Sequence, residues 1–361
     1  MRLGLRRGGA DPAPAGRAVV CLITATALAL AVACTPDRSA QITHRRPVDR
    51  VGLAMGSQLK LRVFAADPRE AQSAFDAVFA EFERLEALLS IWRAESDVVR
   101  INAAAGIQPV TVSADTIEVL QAARQISEWT DGAFDITFGA LADVWKFDHD
   151  QDNQVPTQAE LEARRPLVNF RAVRVDAARR TVFLERRGAR IHLGGIGKGY
   201  AIERSARLLR ERGFRDFLIQ SGGDLYVGGM PEGRPWRLGI ADPRQPSSTF
   251  GSLDLSDGTF STSGDYERSF IKGGVRYHHL IDPSTGEPAR GCRSVTILTN
   301  RPVLADGLST GVFIMGPGRG MALVERLPDV EAVIVTAGNQ VLVSSGLTRT
   351  FRQLAPVTDG L

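Results

Sequence analysis

Asp306 and Thr310 stand four residues apart in the run Ala305-Asp306-Gly307-Leu308-Ser309-Thr310-Gly311, so on a helix both present oxygen from one face. A carboxylate and a hydroxyl placed in this way suit Mg²⁺, which takes few protein ligands and completes its shell with phosphate oxygens and water. An aspartate near a helix start equally serves as a partner for the positive end of the helix dipole. A second chemical stretch, Gly194-Gly195-Ile196-Gly197-Lys198-Gly199, offers bare backbone, one cation and a following helix, which is what a phosphate-bearing ligand needs. It is not a Walker A loop, because Gly199 occupies the place of the metal-binding hydroxyl after Lys198. Nor does it complete a dinucleotide fingerprint, because Tyr200 stands where the third glycine belongs. A tight strand-to-helix turn whose glycines allow close packing accounts for the run equally well. Three more polar corners accompany it: Gly132 to Thr137, Ser261 to Arg268, and His278 to Gly286.

These residues need a scaffold, and the chain alternates between two periodicities. A strand is expected over Leu59 to Phe64. Pro68 then opens a helix with Ala71, Phe75, Val78, Phe82, Leu85 and Leu89 on its apolar face. Ser113 caps a second helix carrying Ile117, Leu120 and Ile126, and Thr157 with Glu160 forms a capping box for a third. From Ala172 to Leu193 the pattern has period two, which predicts a hairpin leading straight into the glycine cluster. A helix bearing Ile202, Ala206 and Leu209 follows, ending at Gly213. Strands are expected around Phe217 to Ile219, Leu225 to Val227, Trp236 to Ile240, Gly258 to Thr262 and Ser294 to Thr299, with a hairpin over Tyr266 to Ile281 that turns at Gly273-Gly274. Helices over about Val303 to Met315 and Arg319 to Leu327, then a hairpin at Gly338-Asn339, complete the pattern. The mixture is α+β, one compact domain of mixed, largely antiparallel sheets and packed helices.

The N-terminus reads as an address. Arginines precede an apolar run, Ala18 to Ala33, which is short for a membrane span and ends in small residues immediately before Cys34. This is the pattern of a bacterial lipoprotein signal over residues 1–33, with Cys34 lipidated and residues 34–50 forming a polar tether to a domain over 51–361. It places the protein outside the cytoplasm, anchored by lipid to the bacterial inner membrane on the periplasmic side. Arg2, Arg6, Arg7 and Arg17, set against Asp11, account for the whole formal charge of +3. The remainder is balanced, so the sequence offers no nucleic-acid surface. Cys21 lies in the leader and Cys34 carries the lipid, so Cys292 is left alone, which excludes a disulfide framework and a thiolate metal cluster.

The ordered set of segments resembles the ApbE-like family of FAD:protein FMN transferases, exported bacterial lipoproteins that move FMN from FAD onto a threonine of a target flavoprotein. The matching segments are Met55-Gly56, Leu89 to Trp92 with Ser96, Gly132 to Thr137, Leu193 to Ala201, Gly222-Gly223-Asp224, Ser263 to Tyr266, His279 to Gly286, and Ala305 to Thr310. The resemblance implies FAD contacts at Met55, Trp92, Ala133, Phe134, Asp135, His192, Lys198 and Ile281. It implies a Mg²⁺ site formed by Asp306, Ser309, Thr310 and the carbonyl of Gly195, and it makes His279 the candidate base. His192 stands where the family usually has an aspartate, Glu203 replaces another, and Ser309 stands where some members carry a third. The implied partner is a flavoprotein with an acceptor threonine, such as a subunit of a respiratory redox complex. The same site could instead hydrolyse FAD to FMN and AMP, or bind flavin without catalysis.

Overall fold

In the computed structural model the described residues are 45–360; the leader, Cys34 and most of the expected tether lie outside them. The chain runs β1 (Arg46–Ala54), β2 (Ser57–Ala65), α1 (Pro68–Leu89), α2 (Asp97–Ala103), β3 (Val110–Thr111), α3 (Ala114–Trp129), α4 (Gln158–Arg164), β4 (Val173–Asp176), β5 (Thr181–Leu184), α5 (Gly197–Glu211), β6 (Phe217–Ser221) and β7 (Asp224–Gly228). It continues through β8 (Trp236–Ala241), β9 (Thr249–Leu255), β10 (Gly258–Gly264), β11 (Ser269–Lys272), β12 (Val275–His278), β13 (Cys292–Thr299), α6 (Pro302–Met315), α7 (Pro317–Val324), β14 (Glu331–Thr336), β15 (Val341–Val343) and β16 (Arg352–Gln353).

One sheet dominates. Its strand order is β1-β2-β6-β7-β10-β13-β14-β15, and each neighbouring pair is antiparallel. Leu59, Leu61, Val63, Ile219, Val295, Ile297 and Ile334 project from one face into the main core, against the apolar faces of α1, α3, α5 and α6. Period two sends Leu225, Val227, Val333 and Val335 to the opposite face, where they meet Trp236, Leu238, Ile240, Phe250 and Leu253 of the small sheet β16-β9-β8. A third cluster, Leu141, Trp145, Phe147, Leu161, Phe270 and Ile281, lies beneath the β11–β12 hairpin. The α+β architecture therefore stands as expected, with helices and a small sheet covering opposite faces of the main sheet.

Local signals explain the helix starts. Asp67 accepts from the Arg69 amide ahead of α1, Ser113 caps α3, and Thr157 and Glu160 form the full capping box of α4. Two expectations shift. The segment expected to end the tether belongs to the sheet: β1 begins at Arg46, with Val48, Arg50, Gly52 and Ala54 half-buried on alternate positions and Asp49 paired across the strand with Arg62. Apolar Val51 and Leu53 on its exposed side and Arg50 on its half-buried side concealed the alternation. The hairpin expected over Ala172 to Leu193 ends at Leu184, and Gly188 at φ +82° turns the chain away. Beyond it the backbone of Ile191 is held by the Asn102 carboxamide, which donates to its carbonyl at 3.0 Å and accepts from its amide at 2.8 Å. The glycine cluster is thus delivered by this side-chain clamp together with a short parallel bridge, in which Arg190 pairs with Phe138 and the His192 amide donates to the Ile136 carbonyl at 2.8 Å, and not by the expected hairpin strand. Among the described residues, no helix is long and apolar enough to cross a membrane.

Candidate active site

The glycine cluster's tail is the start of α5, and its packing explains Gly199. A methyl group there would strike the carbonyl of Pro302 and approach Asp306 Cβ at 2.7 Å, so α5 and α6 touch backbone to backbone at this point. The contact is sealed by the Gly199 amide donating to Asp306 Oδ2 at 2.8 Å. Asp306 Oδ1 is 3.9 Å from Lys198 Nζ, beyond hydrogen-bonding reach, while Lys198 forms its close ion pair with Asp224 at 2.9 Å. Burial and the nearby Asp224 carboxylate push the Asp306 carboxyl well above the ordinary aspartate range, against the pull of Lys198. Burial disfavours the Lys198 cation, yet Asp224 and Asp306 outweigh it and raise its pKa.

One helical turn on, Thr310 projects from the same face of α6, as the spacing predicts. Ser263 links the two hydroxyls of α6, with its Oγ 2.8 Å from Ser309 Oγ and 3.2 Å from Thr310 Oγ1. Ser309 also donates to the carbonyl of Asp306 at 2.8 Å, and Ser261 hydrogen-bonds Asp224. Gly195 faces this group: a Cβ built on it would lie 3.6 Å from Thr310 Oγ1. Among the described residues no three His, Cys, Asp or Glu side chains form a metal cage. The donors present are a carboxylate with one uncommitted oxygen, hydroxyls that largely bond one another, and a second carboxylate nearby. That set fits Mg²⁺, which needs one or two carboxylates and leaves positions for phosphate oxygens.

The cleft above these donors has two lobes. One is lined by Ala133, Phe134, Asp135, His279, Ile281 and Thr310, the other by Met55, Trp92, His149 and Leu193. Gly56, Asp148, His192, Lys198 and Arg268 border both. The rim is built from two tight hairpin turns. Met55-Gly56 joins β1 to β2 with both residues at positive φ (+48° and +68°), an unusual conformation for methionine. Gly222-Gly223 joins β6 to β7, and Gly222 donates to the Gln58 carbonyl beside the first turn.

Three of the histidines at the site, His278, His279 and His192, differ in what they are free to do. His278 is buried and satisfied: Nε2 lies 2.9 Å from the Ala289 carbonyl, and Nδ1 accepts from the Leu280 amide at 3.3 Å, which assigns the proton to Nε2. Burial drives its pKa down to about 4. His279 borders the cleft with a buried Nδ1 that has no hydrogen-bond partner. Burial, then the Arg268 and His278 charges, lower its pKa to about 3, so the ring is neutral with lone-pair capacity to spare. His192 accepts from the Gly194 amide at 2.9 Å through Nδ1, rests against Phe138, and is lowered to about 4 by burial.

The other expected contacts all line the cleft, with different freedom. Asp135 accepts from the Thr137 amide and hydroxyl and from the Phe170 amide, so its carboxylate holds the loop that presents Ala133 and Phe134; burial raises its pKa. Trp92 is 53% exposed, with its ring against His149. Ile281 is buried in the satellite cluster below the hairpin. Glu203, one of the departures noted above, accepts from Arg301 and from the Val303 amide, capping the start of α6 from a neighbouring helix. Reading the sequence missed Asp224, Ser261 and Ser263 as members of the donor set, although the segments holding them were singled out. It gave no sign of Asp148, nor that Arg268, at the end of the Ser261 to Arg268 corner, pairs with it; the two are 2.6 Å apart across the cleft.

The model of the ApbE family matches residues 55–334. The chain belongs to the ApbE family. Among its relatives, the FAD:protein FMN transferase of Klebsiella pneumoniae (strain 342) is 33% identical over 302 residues, covering 83% of this chain and 92% of that one. The enzyme of the same name from Treponema pallidum (strain Nichols) is 32% identical over 329 residues, covering 86% and 90%. The crystal structure of an ApbE protein from Thermotoga maritima superposes with a TM-score of 0.79 at 32% identity, covering 85% of this chain and 100% of that one. The flavin transferase ApbE from Vibrio cholerae gives 0.75 at 29% identity, covering 85% and 99%. The resemblance read from eight short segments thus extends to the whole ApbE fold.

Proposed function

We propose that this chain is an FAD:protein FMN transferase, moving FMN from FAD onto the hydroxyl of a threonine in a partner flavoprotein and releasing AMP. The observation that carries this reading is the convergence, in one two-lobed cleft, of Asp306 and Thr310, with Ser309 hydrogen-bonded to Ser263 behind them, and the unpartnered Nδ1 of His279.

Cleaving the diphosphate of FAD asks the protein to offset phosphate charge and to generate a nucleophile. Asp306, Thr310, Ser309 and the Gly195 carbonyl would hold Mg²⁺, which supplies Lewis-acid charge neutralisation at the phosphates when bound. Lys198, fixed between two carboxylates, keeps Asp224 and Asp306 from repelling each other at the donor face. Met55, Trp92, Ala133, Phe134, His192 and Ile281 line the walls that receive the flavin and adenosine ends. His279 takes the threonine proton as the hydroxyl oxygen attacks the FMN-side phosphorus; the bond to the AMP oxygen breaks, and AMP leaves as the anion. A neutral histidine with a free lone pair is equipped for this role, and the arriving diphosphate anion raises its basicity.

In this proposal the leader over 1–33 exports the chain, Cys34 carries the lipid, and the domain works at the periplasmic face of the inner membrane. Its partner there is a redox-complex flavoprotein. The purified protein is incubated with FAD and Mg²⁺, with and without an acceptor flavoprotein, and followed by in-gel flavin fluorescence and AMP release. Label on the acceptor is expected. AMP and free FMN without label would replace transfer by hydrolysis, and FAD binding with no turnover would refute both enzymatic readings.

A further inference from the structure

The ion pair between Arg268 and Asp148 lies where the two lobes of the cleft meet, and both residues border both lobes. Arg268 is anchored from behind, because its carbonyl accepts from the His279 amide at 3.1 Å. Its side chain is 40% exposed and reaches Asp148 through a single guanidinium nitrogen at 2.6 Å. Lys198, the other cation bordering both lobes, is already committed to Asp224. A dinucleotide spanning the lobes must lay its diphosphate across this junction. There it meets a cation with donors to spare and a carboxylate of its own sign.

We propose that Arg268 is a phosphate-binding residue for FAD, held by Asp148 until substrate enters, and that entry exchanges the carboxylate for a phosphate oxygen. The proposal rests on the FAD reading above and adds a residue and a partner exchange to it. An arginine fork suits this exchange, since its donors match carboxylate and phosphate alike. Asp148 belongs to a segment held by two other contacts, the His149 ring against Trp92 and Lys272 against the Asn153 carbonyl and the Gln154 side chain. It can therefore lose its arginine while the segment stays docked. Two opposite consequences follow for two partners of one ion pair. Removing Arg268 loses a phosphate contact, whereas removing the Asp148 charge releases the arginine and removes a repulsion.

The test is binding, read by quenching of flavin fluorescence for FAD and for riboflavin, which lacks phosphate. Arg268→Gln is expected to weaken FAD binding about tenfold to a hundredfold, the range of a lost charge-assisted hydrogen bond, with riboflavin affinity kept within about twofold. Asp148→Asn is expected to tighten FAD binding by about threefold or more, and this gain disappears when Arg268→Gln is also present. Arg268→Lys keeps part of the FAD affinity. The proposal is overturned if Asp148→Asn weakens FAD binding as Arg268→Gln does, or if riboflavin and FAD lose affinity equally, since either result marks a pair that only shapes the loop. Failure of the unaltered protein to bind FAD would instead remove the underlying function.

Discussion

Replacing Asp306 by asparagine should separate catalysis from stability in opposite directions. The side chain is 4% exposed, accepts from the Gly199 amide, and shares its surroundings with Asp224. An asparagine has nearly the same volume and still offers a carbonyl oxygen to Gly199, so the α5–α6 seal survives. What disappears is a buried negative charge whose raised pKa means that ionising it at neutral pH costs the fold free energy. Lys198 keeps Asp224 as its partner at 2.9 Å, so no cation is orphaned. Relief of the charge penalty is worth on the order of 1–3 kcal/mol, which for a domain of this size raises Tm by roughly 2–6 °C. Losing one preorganised charged contact at a phosphoryl centre costs about 10²–10³ in turnover. Calorimetry and AMP release on Asp306→Asn measure the two effects side by side. A variant that melts several degrees lower, or one that keeps its metal-dependent turnover, would refute the assignment of Asp306 as a charge retained for function at the expense of stability.

Three further outcomes follow from the same geometry. Gly199→Ala should cost about 1–3 kcal/mol by forcing α5 away from Pro302 and Asp306, seen as a lower Tm with turnover reduced alongside it; an unchanged Tm would show that the helices are not in backbone contact. The adjacent histidines should part company: His278→Ala loses about 2–4 kcal/mol of stability because a buried, doubly bonded ring is removed, whereas His279→Ala leaves Tm nearly unchanged and lowers kcat about 10²–10⁴-fold. Equal effects of the two on kcat would contradict the assignment of the base. The depressed pKa of His278 sets a pH dependence, because the unfolded chain takes up this proton at higher pH than the folded one. Its contribution is complete above about pH 6.5 and is lost as pH falls toward about 4, by about 3 kcal/mol in all. Urea midpoints at pH 7.5, 6 and 5 should decline, and the decline should shrink in a His278→Gln variant.

The parts of this structure that were legible in the sequence are those governed by local periodicity and capping. Pro68 and the apolar face of α1, Ser113, and the Thr157–Glu160 box each announce an element through nearest neighbours alone. The Asp306–Thr310 spacing is legible for the same reason, since one helix carries both residues. β1 was not, because its outward side carries the exposed Val51 and Leu53 while Arg50 lies on its half-buried side, so the sequence shows no clean alternation. The stretch from Glu185 to Ile196 misled because its apolar alternation answers to a clamp from Asn102, 89 residues earlier, and to an isolated parallel bridge with Phe138, and not to a hairpin partner next in sequence. Asp224 and Ser263 lie in segments whose glycine turns drew notice, but only the register β7-β10-β13 brings them beside α6. Arg268 and Asp148 are 120 residues apart and carry no pattern of their own, so their meeting is purely tertiary.

The hydrogen bond from Gly199 to Asp306 closes a loop of 107 residues. Until that loop is closed, the lysine and the carboxylate of the donor face belong to unconnected stretches of chain. A polypeptide lacking α6 therefore has only half of that face. Under the proposed function, flavin capture would report that the chain has folded through α6.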